Sequence, residues 1–371
     1  MLKIPEQYQS AYNKLYSLFN QPGTKIIITD RSLGKSKNSV LWILQEIVLK
    51  EGDHAFLMRN WGDDNQKIKE YFKKIVDDFC LMWEGQEVKR KDFEIKDFET
   101  YYFGLLYKTK VRVYFYTLFD ENGSRNKHDK GAKSMFLDEA TPSRGEIIES
   151  KGWLTNEAYK YSTHEKSIKR NNTNIDKVFS GNPTCSFYEA WFLDYWQKEL
   201  AEFSKWYWKE RPSDKTKWRE WTWIKQWEKE NKILYLEKTV LEETEFASYE
   251  DGNWDDFFTS QEELKIIEPI NGSLPVYVFN NSICYLAKKG FWYFASKKDK
   301  RLSNKEDIPY IKEYCLNPQQ RLRSKQLIKW DYEKKILQED LLFKYEKSKL
   351  FFANAEVKRV MEEFISTGKI I

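Results

Sequence analysis

Residues 29–36 read T-D-R-S-L-G-K-S and hold the first side chains of this 371-residue chain with an evident chemical use. Gly-Lys-Ser closes the phosphate-loop template G-x-x-x-x-G-K-S/T, and only the first position departs from it, with Thr29 where a glycine is expected. Phosphate oxygens are held by successive backbone N–H groups and by the positive end of the following helix, so Gly34 must let the chain approach closely. Lys35 brings a point charge to the β- and γ-phosphates of ATP, and Ser36 offers a hydroxyl to Mg2+. Thr29, Asp30, Arg31, Ser32 and Leu33 complete the backbone cradle. Losing the first glycine weakens the match without removing a phosphate ligand. A helix start that merely contains Gly-Lys-Ser is the competing reading.

A second group follows roughly 100 residues later, where the apolar run "SMFLDEATP" ends in Asp138 and Glu139. In a phosphate-loop ATPase the first such carboxylate supports the metal and the second polarises the attacking water. Adjacent acids after an apolar run also occur in plain exposed turns, but the order and separation favour the catalytic reading, and a glutamate in second place favours hydrolysis. A third stretch, "IDKVFSGNPTCS", reads as a buried strand with Ser180, Gly181 and Asn182 at its tip, followed by a proline-opened turn and a helix over "FYEAWFLDYWQKELAEF". Polar residues at the carboxyl end of a strand beside the phosphate-loop strand are placed to touch a γ-phosphate. A plain strand-to-helix turn fits the same letters.

The elements that must position these groups are legible nearby. "KIIIT" is a short β-branched run typical of a buried parallel strand. A helix over about 35–50 follows, with Val40, Leu41, Leu44, Ile47 and Val48 on its apolar side, then a second strand, "HAFLMRN". The order strand, loop, helix, strand is the setting a phosphate loop needs.

Composition sets the outer limits. The apolar fraction of 41% can supply the cores of two domains, and a net charge of +4 demands no polyanionic partner, although basic residues outnumber acids after residue 285. Four scattered cysteines and three histidines show no metal-site spacing, and no apolar run approaches a bilayer span, so a soluble intracellular protein without a membrane partner is expected. Fifteen tryptophans crowd toward residues 191–227. Aromatic and basic interleaving can stack on nucleic-acid bases. The helical spacing of Trp218, Trp221 and Ile224 instead favours an amphipathic helix packed on its neighbours.

On "DRSLGKS", "MFLDEA", "VFSGNP" and the closing "YEKKILQEDLLFKYEKSKLFFANAEVKRVMEEF", the chain resembles the DNA encapsidation ATPases of phi29-like phages and, more distantly, large terminase ATPases. The early loop arginine, here Arg31, and the missing first glycine are features of that resemblance. It implies an α/β fold: a phosphate-loop NTPase of the ASCE, RecA-like and terminase-like kind over 1–205, a Trp-rich connector or lid over 206–270, and an α+β RNase H-like domain over 271–371. It implies a homo-oligomeric ring, expected to be a pentamer, that acts in the host cytoplasm at the portal of a procapsid and drives double-stranded DNA inward as ATP is hydrolysed, in some relatives with a packaging RNA. Arg170 occupies the place of the arginine a neighbour inserts into the site, with Lys169 its nearest competitor. Arg125, Lys127, Lys130, Lys133 and Arg144 flank the acidic strand, where the family's DNA-gripping loops lie. "VYVFNNSICYLA" carries no acid, so a vestigial nuclease fold without cleavage activity is expected. An active terminase, a replication helicase and a non-catalytic portal-associated protein with a dead phosphate loop are the alternatives.

Overall fold

The computed structural model describes residues 14–30, 33–50, 52–59, 65–83, 88–98, 101–118, 131–142, 157–170, 172, 174–240 and 254–260, and beyond these 274–279, 282–286, 292–296, 312–314 and short stretches from 339 to 365. Two compact units are present: one formed by 1–152, 157–185 and 198–257, the other by 153–156, 186–197 and 258–371.

The first unit is built on a nine-stranded sheet. Its strands are β1 (Thr24–Thr29), β2 (His54–Met58), β3 (Phe93–Phe98), β4 (Tyr101–Tyr107), β5 (Lys110–Thr117), β6 (Ser134–Asp138), β7 (Asp176–Gly181), β8 (Trp223–Lys229) and β9 (Lys232–Lys238). They lie in the order β3-β4-β5-β2-β6-β7-β1-β9-β8. The six from β5 to β9 run parallel; the antiparallel strands β4 and β3 extend one flank, and β8, antiparallel to β9, closes the other. The central strands are continuous apolar runs because a parallel sheet is covered on both faces. Helices α1 (Lys14–Phe19), α2 (Lys35–Leu49) and α3 (Asn65–Met82) bury their apolar sides with the sheet, in one core holding Leu15, Leu41, Leu44, Phe79 and Phe136. Phenylalanines fill its far flank, where Phe115 lies 4.1 Å from Phe103 and 4.5 Å from Phe72, centroid to centroid. Helix α4 (Glu157–Lys169) leads into β7.

The Trp-rich stretch departs from the sequence expectation. Helix α5 (Gln197–Glu210) and the short α6 (Lys215–Glu220) are helical, but Trp223–Lys229 is an edge strand and not a continuation of a helix. The spacing of Trp218, Trp221 and Ile224 suits a helix, yet from 223 onward burial alternates: Trp223 is buried, Ile224 exposed and Trp227 half-buried. A period of two wins because β9 offers a hairpin partner through a tight turn at Glu230 and Asn231, both in the left-handed region at φ 49° and 59°. Residues 223–238, expected in a separate connector, thus form part of the nine-stranded sheet. Helix α7 (Trp254–Phe257) completes this unit.

In the second unit the helix expected after "SGNP" begins only at Gln197. Before it, Phe187, Ala190, Leu193 and Trp196 are fully buried at intervals of three, which is the period of the 3-10 helix found over Trp191–Trp196. A five-stranded sheet contains β10 (Leu274–Phe279), β11 (Ser282–Leu286) and β12 (Trp292–Ser296) as an antiparallel meander, with β13 (Lys312–Tyr314) parallel to β10 and β14 (Leu350–Phe352) parallel to β12. "LPVYVFNNSICYLAKKGFWYFASKKD" predicts two or three strands with turns at 280–281 and 289–290; three strands are present, and the turn positions lie outside the described residues. The pattern after the meander predicts helices to the carboxyl terminus, yet β14 lies there: "LFF" finds a parallel partner in β12, which local pattern cannot reveal.

The edge-strand assignment has a direct test. Trp223→Ala is expected to cost roughly 3–5 kcal/mol, as for a buried aromatic. Ile224→Ala, at a position 54% exposed, should stay within about 0.5 kcal/mol. Urea unfolding of both variants decides it, since a core-facing helix would make the two losses comparable.

Candidate functional site

The parallel register brings the carboxyl ends of β1, β6 and β7 to one edge of the sheet, where open α/β sheets bind ligands. Gly34 caps α2 in the left-handed conformation, φ 71° and ψ 27°, a turn that glycine makes without strain. Having no side chain, Gly34 leaves the first amides of this 15-residue helix without a cap of its own, open to an anion.

Lys35 reaches back from that helix start. Its Nζ donates to Asn182 Oδ1 at 2.8 Å, Thr29 Oγ1 at 2.9 Å, the Asp30 carbonyl at 3.0 Å and the Thr29 carbonyl at 3.2 Å. The cluster draws together the phosphate-loop lysine and the strand-end asparagine that the sequence singled out separately. It also gives Thr29 a use: the hydroxyl that replaces the first glycine is an acceptor for the lysine.

Ser36 and Asp138 meet across the sheet edge. Ser36 Oγ donates to Asp138 Oδ2 at 2.5 Å, and Ser180 Oγ donates to Asp138 Oδ1 at 2.6 Å. Both oxygens of this buried carboxylate are engaged, and the serine and carboxylate together are the hard oxygen donors that suit Mg2+. Glu139 follows in the left-handed region at φ 52° and is exposed on the same edge. A non-glycine residue there costs of order 1–3 kcal/mol and is held by its surroundings. The clamps are the Ala140 N–H, which donates to the Ser180 carbonyl at 2.7 Å, and Thr141, whose Oγ1 accepts from Asn182 N–H at 2.9 Å and donates to the Asn182 carbonyl at 2.8 Å. Gly181 is required beside them, since a Cβ there would lie 2.7 Å from Thr141 Oγ1.

Three residues at this edge escaped the sequence reading: Thr141, Arg59 and Tyr71. Thr141 lies inside the quoted "DEATP" stretch, so its position was visible but its pairing with Asn182 was not. Arg59, which follows β2, is fully buried; its Nε pairs with Glu157 Oε2 at 2.9 Å and its amide donates to the Asp138 carbonyl at 3.4 Å. Tyr71 on α3, 44% exposed overall, has its hydroxyl pushed up to about 12 by partial desolvation and by the charge of Asp138.

Asp30 is not disposed as a ligand. Its carboxylate is 2% exposed and accepts from Trp254 Nε1 at 2.8 Å and the Thr239 amide at 2.7 Å. Burial raises its pKa to about 6, against the opposing pull of the Thr239 and Trp254 hydrogen bonds and the Lys238 and Lys35 charges. Lys238 is lowered to about 8 by burial, which Asp30 partly offsets. Leu33 is half-buried against the core, and Arg31 and Ser32 lie outside the described residues.

Arg170 is not brought to the site of its own chain. It ends α4, where the Ala132 N–H donates to the Ile168 carbonyl and Asn172 Nδ2 donates to the Ala132 carbonyl, both at 2.9 Å. Those contacts fix it beside the amino end of β6, with the length of the strand, roughly 13 Å, between it and Asp138. Lys133 is exposed at that same amino end, while Arg125, Lys127, Lys130 and Arg144 lie outside the described residues.

An uncapped glycine turn, a lysine and serine opening the next helix, an acidic pair ending β6 and a polar tip on β7 thus lie together on one edge of a parallel α/β sheet. The chain is similar over 94% of its length to the solved Phi-28 gp11 DNA packaging motor, covering 95% of that chain at 11% identity with a TM-score of 0.56. Weaker likenesses are to the phi-29 viral genome packaging motor assembly, at 13% identity over 96% of this chain and 98% of that one with a TM-score of 0.49, and to the large terminase of the thermophilic bacteriophage D6E, at 12% identity over 96% and 86% with a TM-score of 0.37. No protein-family model and no curated protein matches the sequence. The likeness to the Phi-28 motor shows a shared fold over nearly the whole chain.

The raised Asp30 pKa makes a signed prediction. Between about pH 4 and 6 the native state holds a proton that the unfolded chain releases, so this contribution to stability is present below pH 4 and lost as pH rises through 6. Asp30→Asn lacks the effect, so between pH 4.5 and 7 its stability should gain on wild type by on the order of 2–3 kcal/mol. Urea melts at the two pH values measure it; a difference that does not change with pH would contradict the burial of a titrating carboxylate.

Proposed function

We propose that the chain is an ATP-driven motor that moves double-stranded viral DNA into a preformed capsid through its portal. The observation that carries the reading is the joined pair of networks, Lys35 with Asn182 and Thr29, and Asp138 with Ser36 and Ser180, set on the fold of the Phi-28 packaging motor. The α2 amides and Lys35 bind the phosphates. A phosphate oxygen competes with Thr29, Asp30 and Asn182 for the ammonium, so binding frees the Asn182 amide to meet the γ-phosphate. Ser36 and Asp138 would hold Mg2+, which would supply charge neutralisation at the phosphates. Glu139 takes a proton from the attacking water as the bond from the γ-phosphorus to the bridging oxygen breaks and ADP leaves with that electron pair.

Arg170 acts on a neighbour. Its place at the opposite end of β6 supports action across a subunit boundary in a homo-oligomeric ring, read as a pentamer. The ring works in the host cytoplasm at the procapsid portal, and the structured packaging RNA of some relatives belongs to the same reading. Lys133 and the basic group of Arg125, Lys127, Lys130 and Arg144 grip DNA phosphates without regard to sequence. The second unit is read as an RNase H-like domain without cleavage activity. Its antiparallel meander, extended by a parallel strand, supports the fold, and β10, β11 and β12 contain no acidic residue to hold catalytic metal.

Lys35→Ala should lower ATP turnover at least 100-fold, measured by phosphate release with Mg2+ present, because it removes charge aimed at the transition state. Equal rates in variant and wild type would defeat the motor reading. Mixing inactive Arg170→Ala and Glu139→Ala subunits should restore part of the hydrolysis at mixed interfaces, and failure at every ratio would tell against a neighbour's arginine. Incubation with supercoiled plasmid in Mn2+ should leave the plasmid intact; nicking would instead favour an active terminase.

A further inference from the structure

Asp30 stands in the phosphate loop, yet its carboxylate faces a different set of partners. Within one residue the carbonyl accepts from Lys35 Nζ at 3.0 Å while the carboxylate accepts from Trp254 Nε1 at 2.8 Å and Thr239 N–H at 2.7 Å. Trp254 is 1% exposed and its ring lies 4.6 Å from Trp223 and 5.4 Å from Phe257. The next residue, Asp255, accepts from Tyr207 Oη at 2.6 Å and Arg211 Nη2 at 2.5 Å. Segment 254–257 is therefore held by specific polar contacts as well as by burial, and it immediately precedes residue 258, where the chain enters the second unit.

A buried carboxylate cannot exchange these donors for water without a large cost, so the hydrogen bond to Trp254 is retained when the Asp30 peptide moves. The same peptide must move when phosphate draws Lys35 away from the Thr29 and Asp30 carbonyls. We propose that the Asp30–Trp254 hydrogen bond passes the occupancy of the phosphate loop to segment 254–257, which makes Asp30 a positioning residue and not a nucleotide ligand. The proposal rests on the reading of residues 29–36 as a nucleotide loop.

The test uses full-length protein labelled with 5-fluorotryptophan and observed by fluorine NMR, with the Trp254 and Trp223 signals assigned by their loss in Trp254→Phe and Trp223→Phe. Binding is followed in parallel with a fluorescent N-methylanthraniloyl ADP in Mg2+. In wild type the Trp254 and Trp223 signals should shift with the same midpoint as binding. In Trp254→Phe, which keeps a ring but loses the donor, the dissociation constant should stay within about threefold while the Trp223 signal no longer follows the nucleotide. A Trp254 signal that is unmoved at saturating ADP, or a Trp223 signal that moves as before in Trp254→Phe, would overturn the link alone. No binding of the fluorescent nucleotide would overturn the nucleotide-loop reading and the link with it.

Discussion

A carboxylate buried at the end of a strand must find hydrogen-bond donors, and at Asp138 both come from outside its own strand. Ser180 supplies one from the adjacent β7, and Ser36 supplies the other from the helix that follows β1, one strand further along the sheet. Satisfying Asp138 therefore fixes the strand order β6-β7-β1 at the carboxyl edge of the sheet. The register places Leu137 opposite Phe179 and Ile28 opposite Gly181, so all three strands end at one level. Gly181 lets the Thr141 turn, which follows Glu139, close over the β7 tip, where Thr141 bonds to Asn182.

Lysine and serine at the start of α2 divide the work. Ser36 is committed to the acidic strand, whereas Lys35 is shared among acceptors on the loop and on β7. An ammonium is a compact charge with three donors, and neutral oxygens hold it less firmly than a phosphate would.

Aromatic residues serve two ends of the sheet differently. Phenylalanines at 56, 72, 103 and 115 fill an apolar flank with no polar obligation. Trp223 and Trp254 line the other flank, and there the indole N–H of Trp254 meets the need of a buried loop carboxylate. A phenylalanine at 254 could occupy similar space but could not donate that bond.

Much of the site was legible because its parts are local. A β-branched run followed by a glycine turn and Gly-Lys-Ser, an apolar run ending in two acids, and a strand tipped with Ser-Gly-Asn each specify a strand end within a few residues, and the parallel sheet joins those ends. What the sequence could not show depended on partners distant in the chain. Thr29 looked like a lost glycine until Lys35 and Asn182 closed on it, and Asp30 looked like loop until Trp254, 224 residues away, gave its carboxylate a partner. Ile224 continued a helical spacing until β9 imposed a period of two, and Arg170 lay near "SGN" in sequence but at the far end of the sheet in space. The sequence by itself determined which groups could bind phosphate and metal, since that chemistry is written in short motifs. Only the tertiary structure decided which of them meet, because strand register and burial, not spacing along the chain, set the distance between two side chains.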